Sequence, residues 1–472
     1  MLNKTKMICT IGQQSESESV LEEMLLAGMN VARLNLTNGD IPTQQKYIDT
    51  IRKLSLIHDR ALSIMLDTYG AKVKTHEFKN SVEPIGKGSK VVIHTNTKVI
   101  GNAHEFSVDY SGLYDDVEVG CEILLNSGSV VLNVINKVED NKTIECEVTK
   151  SGNAQDYCLI NVPERVLNVA SVSSKDAALL KFAAQMNVDF IGASFVRSAN
   201  DVVEIKNNLK VNGANCLVFA KIETKAAVEQ FDEILAVADG IIISRGDLSV
   251  EFPYELQPIM QKKIIRKCNL AGKPVIVGTQ VISSMTRNKK PSRAEVSDVA
   301  NLVLDGVDGI SLNNVTTIGK YPVKAVKELS KIIKATELHA HEILEATPLI
   351  KDSSFEFPLD DAVANAVIAT AKEVNAKLIV AFSESGATAK RISKYRPTCP
   401  IASVSSNADI RMSLTLNWGI YPVIAAHKTY EIDFIELANQ IAKFYGLKEG
   451  DTFIITGGNG IGNTNLMKVC KL

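Results

Sequence analysis

Val218-Phe219-Ala220-Lys221-Ile222-Glu223 is an apolar run that ends in a lysine and a glutamate two residues apart. In a strand, residues at that spacing project to the same side. A charged pair at the end of an otherwise apolar strand is costly to bury unless something uses it. The same form recurs along the chain. Gly240–Ser244 runs into Arg245-Gly246-Asp247, and other apolar runs end near Ser194, Thr279 and Asn313, each followed by a helical stretch. Upstream, Lys6–Ile11, Val31–Asn35 and Leu62–Asp67 read as strands separated by helices over Ser15–Ala27 and Thr43–His58. Repeats of about 30 residues have the βαβ spacing. Three strands and five make eight, which predicts an α/β fold built on a (β/α)8 TIM barrel.

The pattern is interrupted after the third strand. Residues 71–168 carry almost no helical period and show two-residue alternation, as in Thr143–Thr149, where Ile144, Cys146 and Val148 alternate with polar partners. This reads as an inserted β-barrel domain, a lid. Residues 346–360 break the helical pattern and read as a linker. The expected organisation is a barrel from 1–70 and 169–345, an insertion from 71–168, and a C-terminal α/β domain from 346–472.

Composition excludes several classes. In 472 residues, 52 basic side chains nearly cancel 54 acidic ones, so no overall field favours a nucleic acid or a membrane surface. The N-terminal stretch lacks a secretory core, no run of about 18 apolar residues exists, and a cytoplasmic location is expected. Eight scattered cysteines form no CxxC pair, and the histidines form no HExxH, which speaks against structural zinc. There is no P-loop. The glycines of Gly457–Gly462 do not open a helix after a strand and are a weak dinucleotide signal.

Barrel enzymes place reacting groups at the C-terminal ends of strands. Here those ends carry Arg33 and Asn35, Asp67 and Thr68, Lys221 and Glu223, Asp247, and Thr279. Glu223 and Asp247, from adjacent strands, suit Mg²⁺, which takes one or two carboxylates plus substrate oxygens. A lysine beside that ion suits phosphoryl transfer, which needs cations around the moving group and little covalent help. The plain alternative is an internal Lys221–Glu223 ion pair.

At these residues the chain resembles the pyruvate kinase family over essentially its whole length. The matching segments are Lys6–Gly12, Ala27–Asp40, Leu66–Thr75, Asp189–Val202, Ala220–Thr224, Ser244–Pro253, Ala271–Gln280, Arg293–Gly309 and Gly319–Val326. The resemblance implies phosphoryl transfer from phosphoenolpyruvate to ADP, giving pyruvate and ATP, with Mg²⁺ (Mn²⁺ as a substitute) and usually K⁺. It implies that Lys221 steadies the transferring group and that Glu223 and Asp247 hold the metal. Gly246 and Thr279 would contact substrate, and Arg33 and Lys74 would bind phosphate. Asn35, Thr37, Asp67 and Thr68 would form the monovalent-cation site. Ser383, Ser385, Gly386 and Thr388 resemble a loop that binds a sugar-phosphate effector, with an ordinary helix cap as the alternative, and Gly457–Gly462 resembles the loop beside it. A homotetramer is the family expectation.

Several positions depart from the family pattern. Lys72 replaces a glutamate, and an ammonium there would supply the positive charge that K⁺ otherwise brings, which predicts K⁺-independence. The alternative is a solvated surface lysine. Lys74 replaces an arginine and offers only a point charge. Asn38 replaces a histidine, Asn126-Ser127 an aspartate pair, Cys158 a nucleotide-reaching lysine, and Asn313-Asn314-Val315 a Ser-Gly-Glu. Glu384 brings a negative charge into the effector loop. These losses keep open a second reading, a metabolite-binding or regulatory protein with weak turnover.

Overall fold

The computed structural model describes residues 3–36, 40–343, 359–425, 433–458 and 464–472. Thr37, Asn38, most of the 346–360 linker and residues 459–463 of the glycine-rich loop lie outside them.

Eight parallel strands close into a barrel in chain order: Lys6–Thr10, Val31–Leu34, Ser63–Asp67, Phe190–Ala193, Leu217–Ile222, Gly240–Ser244, Val275–Gly278 and Gly309–Leu312. Alternation along the strands sorts the side chains. Val218, Ala220 and Ile222 face the surrounding helices, while Phe219 faces the barrel interior. Ile8, Val31, Met65, Phe190, Phe219, Ile242 and Ile276 fill the lower interior. Leu416 of the C-terminal domain packs into the same cluster, so the barrel floor is closed by another domain. Buried Lys6 reinforces that junction by donating to the Ile420 carbonyl at 2.6 Å.

Helix ends follow cap chemistry more closely than periodicity. The first helix begins at Glu18, not Ser15, because Ser17 accepts from the Val20 N–H. The Ser15 hydroxyl instead folds back onto Gly12. The second helix begins at Ile41, behind the Asp40 cap.

Between the third and fourth barrel strands lies a seven-stranded sheet with a two-stranded ribbon. Its edge strands, Val73–Lys74 and Glu105–Ser107, are joined just beyond their ends by a Thr75–Val108 bridge, which curls the sheet into a barrel. The C-terminal domain carries a five-stranded sheet, parallel except for its last strand, Leu466–Lys471.

Candidate active site

One two-residue step up each barrel strand from the apolar floor reaches a polar layer. Ile8 is followed by Thr10, Val31 by Arg33, Met65 by Asp67, Phe190 by Gly192, Phe219 by Lys221, and Ile242 by Ser244. The side chains of Asp67 and Glu223 are each 1% exposed and that of Lys221 8%.

These groups converge. Lys221 Nζ lies 3.1 Å from Asp67 Oδ2 and 2.9 Å from Glu223 Oε1, and donates to Ser194 Oγ at 3.0 Å. Arg33 donates from Nε to both Asp67 oxygens at 3.1 Å and pairs with Asp67 through a second nitrogen. Its remaining nitrogen donates to Asn313 Oδ1 at 2.9 Å and Thr10 Oγ1 at 3.2 Å. Burial alone would raise Asp67, but the Arg33 and Lys221 charges hold it down at about 2. Burial opposes the charge on Lys221, yet Asp67 and Glu223 raise its pKa above the ordinary lysine value. Gly192 makes room for this arrangement, since a Cβ there would stand 2.3 Å from Asp67 Oδ1.

Glu223 also accepts from the Phe195 N–H at 2.7 Å. Asp247 sits in the first turn of the helix Arg245–Glu251. Burial and the facing Glu223 carboxylate push its pKa up to about 6. Two carboxylates that oppose each other's charge form a donor set that a divalent cation would relieve.

Thr279 and Gln280 both have left-handed backbone conformations, at φ 68° and 59°. For a β-branched residue this is strained, and such strain persists where surrounding contacts enforce it. Arg245 is the brace: it donates twice to the Thr279 carbonyl, at 3.1 and 3.2 Å, and pairs with Asp298 at 2.8 Å. Gly246 lies against Thr279, whose Cγ2 would be 2.5 Å from any Cβ placed there.

Lys72 is half-buried, not a solvated surface charge. Its ammonium lies 4.6 Å from the centre of the Phe195 ring. Burial lowers its pKa, and the Glu223 and Asp247 charges partly offset that loss. Lys74 stands on the first strand of the insertion. Asn35 follows the second barrel strand. The Thr68 hydroxyl accepts from the Ser194 N–H at 2.9 Å. Cys158 is buried inside the insertion against Thr75.

In the C-terminal domain, Gly386, at φ 73°, opens the helix Ala387–Lys394. The Ser383 and Ser385 hydroxyls accept at 3.4 Å from the N–H groups of Thr388 and Ala387. The Thr388 hydroxyl meets that of Thr464 at 2.9 Å. Glu384 turns toward Ser406, accepting from its N–H at 3.1 Å and its hydroxyl at 2.8 Å.

Reading strand ends singly names Ser194 and Arg245 without giving them a role and gives none to Asp298 or Gly192. Arg245 carries a signal in hindsight, a charge directly after an apolar strand, but its partner lies 53 residues away.

A layer of this composition at the upper end of a parallel barrel suits an enzyme that handles a phosphorylated anion beside a divalent cation. Comparison with known proteins narrows that class. The family model described as pyruvate kinase, barrel domain, matches residues 2–326, and pyruvate kinase, alpha/beta domain, matches residues 361–470. The pyruvate kinases of Staphylococcus aureus strains MRSA252 and USA300 are each 39% identical to this chain over 475 residues, covering 99% of it and 80% of their own length. The chain belongs to the pyruvate kinase family and is a phosphotransferase.

Proposed function

We propose that this chain transfers the phosphoryl group of phosphoenolpyruvate to ADP with Mg²⁺, or Mn²⁺ in its place, and that it does so without K⁺. The observation that carries this reading is the buried convergence of Arg33, Lys221, Asp67 and Glu223, with Asp247 facing Glu223. Glu223 and Asp247 would hold the divalent cation, which supplies positive charge to the substrate's oxygens. Arg33 and Lys221, each held by Asp67, present fixed positive charge to the phosphate, and such preorganisation is the main source of stabilisation in phosphoryl transfer. Lys221 also faces the oxygen that becomes the enolate. The Gly246 backbone and the Thr279 hydroxyl border the substrate's carboxylate and the carbon that gains a proton. Lys74 adds a point charge from the insertion.

K⁺-independence is supported by Lys72 and by the engagement of Asp67, a carboxylate of the monovalent-cation set, with both Arg33 and Lys221. The test is a lactate-dehydrogenase-coupled assay in tetramethylammonium buffer with Mg²⁺, phosphoenolpyruvate and ADP. A robust rate is expected, lost in Lys221→Ala and little changed by KCl. Strong restoration by KCl would refute K⁺-independence. Thermal stabilisation by phosphoenolpyruvate without turnover would favour the binding-protein reading, which the complete charged layer does not favour.

Two finer elements belong to the same proposal. Ser383, Ser385, Gly386 and Thr388 would receive a sugar phosphate, supported by their resemblance to the family's hydroxyl-rich effector loop and by their place at the start of the helix Ala387–Lys394. A hexose bisphosphate that leaves the half-saturating phosphoenolpyruvate concentration unmoved would remove that element. A homotetramer is supported by the edge strand Leu466–Lys471, which exposes Leu466, Met467 and Val469. Sedimentation as a monomer would remove it.

A further inference from the structure

The helix that carries Asp247 is pinned at both ends. At its start, Arg245 is held by Asp298 and the Thr279 carbonyl. At its end, Glu251 is buried deeply enough that its pKa is raised above the ordinary glutamate value. Glu251 accepts two hydrogen bonds, from Asn161 Nδ2 at 2.7 Å and from the Lys225 N–H at 3.0 Å.

These two donors come from different parts of the molecule. Lys225 lies two residues beyond Glu223 and opens the helix Lys225–Glu229. Asn161 ends the strand Leu159–Asn161 of the inserted domain. That strand pairs Ile160 with Val73 and Leu159 with Lys74, directly after Lys72. One carboxylate therefore joins the segment after Glu223, the helix bearing Asp247, and the part of the insertion that sets Lys72.

Asn161 itself bears a cost that needs a reason. It is 4% exposed, and its Oδ1 has no hydrogen-bond partner. Turning the amide over would place Oδ1 against the Glu251 carboxylate, acceptor against acceptor, so the bridge to Glu251 dictates the orientation and leaves the oxygen bare. A buried acceptor left unpaired is normally selected against.

Resting on the reading above, we infer that Glu251 is a positioning residue of the reaction. Through Asn161 it docks the insertion onto the metal-carboxylate helix, so that Asp247 is aligned with Glu223 only when the insertion is seated.

Exchanging the amide and the carboxylate between the two positions tests this in the full-length protein. Asn161→Asp sets two carboxylates against each other and opens the bridge. Adding Glu251→Gln restores it: the introduced glutamine donates from Nε2 to the introduced aspartate, while its Oε1 accepts from the Lys225 N–H. The readout is amide hydrogen exchange, followed by mass spectrometry, of peptides covering 245–252. In Asn161→Asp the exchange of that helix should rise about tenfold, the scale of losing one hydrogen bond to a charged group. It should return to the wild-type level in the double variant. The strands Val130–Val138 and Thr143–Lys150 should exchange as in the wild type in both variants, which shows that the insertion remains folded. In the coupled assay, Asn161→Asp should raise the half-saturating Mg²⁺ concentration, and the double variant should restore it. Unchanged exchange in Asn161→Asp, or no rescue in the double variant, overturns the inference. Absence of turnover in the wild type overturns the functional reading instead, and exchange still decides the bridge.

Discussion

Replacing Asp67 by asparagine tests whether the charged layer is as tightly balanced as its geometry implies. The substitution keeps the shape and removes the charge between Arg33 and Lys221. Asp67 Oδ2 receives hydrogen bonds or ion pairs from Arg33 and Lys221, and Oδ1 receives Arg33 Nε at 3.1 Å. Both neighbours are donors only, so the asparagine NH₂ must face one of them whichever way the amide turns. Asp67 is held at about 2 against an ordinary 3.8. At about 1.4 kcal/mol per pH unit, its ionised form contributes on the order of 2–3 kcal/mol at neutral pH. Leaving Arg33 without its carboxylate, and Lys221 with Glu223 alone, brings the expected loss to about 3–5 kcal/mol.

Urea unfolding of both proteins measures this, followed by circular dichroism and by the single tryptophan, Trp418. Its backbone N–H donates to Asp308 Oδ1 at the barrel floor, so it reports the junction of barrel and C-terminal domain. The pH dependence has a fixed sign. A carboxylate with a depressed native pKa stabilises the fold above its unfolded value, and that stability is lost as pH falls through the native value. The gap between wild type and Asp67→Asn should therefore stay constant from pH 9 to 5 and shrink only below about 4. A gap below about 1 kcal/mol at pH 7, or one that narrows between pH 7 and 5, would refute the reasoning, because either means the carboxylate is not held by its two cations.

Lys72→Glu should make the enzyme depend on K⁺: its rate in tetramethylammonium buffer should fall at least about tenfold and return with KCl, since a full charge is removed and reversed beside the site. In Gly246→Ala, the new Cβ meets Thr279 Cγ2 at 2.5 Å, so kcat/KM should drop about 10–100-fold with little change in melting temperature; an unaltered rate would remove Thr279 from the site. Burial lowers Lys6 to about 7, with Glu337 and Asp308 opposing the shift. Above that value the native state keeps Lys6 neutral while the unfolded chain still binds the proton, so protonation of the unfolded state costs stability until its own pKa is reached, and wild-type stability should rise from pH 7 toward 10. Lys6→Met should abolish that slope and be the more stable protein at pH 7, a comparison made by thermal melts across that range.

The barrel was legible because alternation is a local property. Val218 to Glu223 carries its own inside and outside, and the structure places Lys221 and Glu223 on the interior side together. Each strand-end residue could be named singly for the same reason. Their mutual arrangement could not. Asp67 stands between Arg33 and Lys221 because barrel closure brings the second, third and fifth strands to one centre, a relation spread over more than 150 residues. Thr279 was legible as a strand-end hydroxyl but not as a left-handed residue. Threonine disfavours that conformation, and the brace that enforces it comes from Arg245, which opens the helix after the neighbouring strand. The status of Lys72 was equally hidden. Its burial depends on Phe195, which the chain reaches only after the whole insertion.

Charge counting at the centre gives the strongest reason to expect that Lys72 matters. Arg33, Lys221 and Lys72 face Asp67, Glu223 and Asp247, three cations against three carboxylates, so the inner layer is nearly neutral before anything binds. A divalent cation then leaves it positive, which matches a substrate bearing both a phosphate and a carboxylate. With glutamate at 72 the same layer would start two charges lower and would need a further cation to present an equal field. The whole-chain charge of −2 cannot reveal this, because screening confines each charge to about 10 Å. What selects the cation is the sum within that radius. Lys72→Gln therefore separates charge from packing: it keeps most of the length of the side chain and should give an intermediate, partly K⁺-stimulated rate. A Gln variant as K⁺-independent as the wild type would mean that the ammonium does not stand in for the ion.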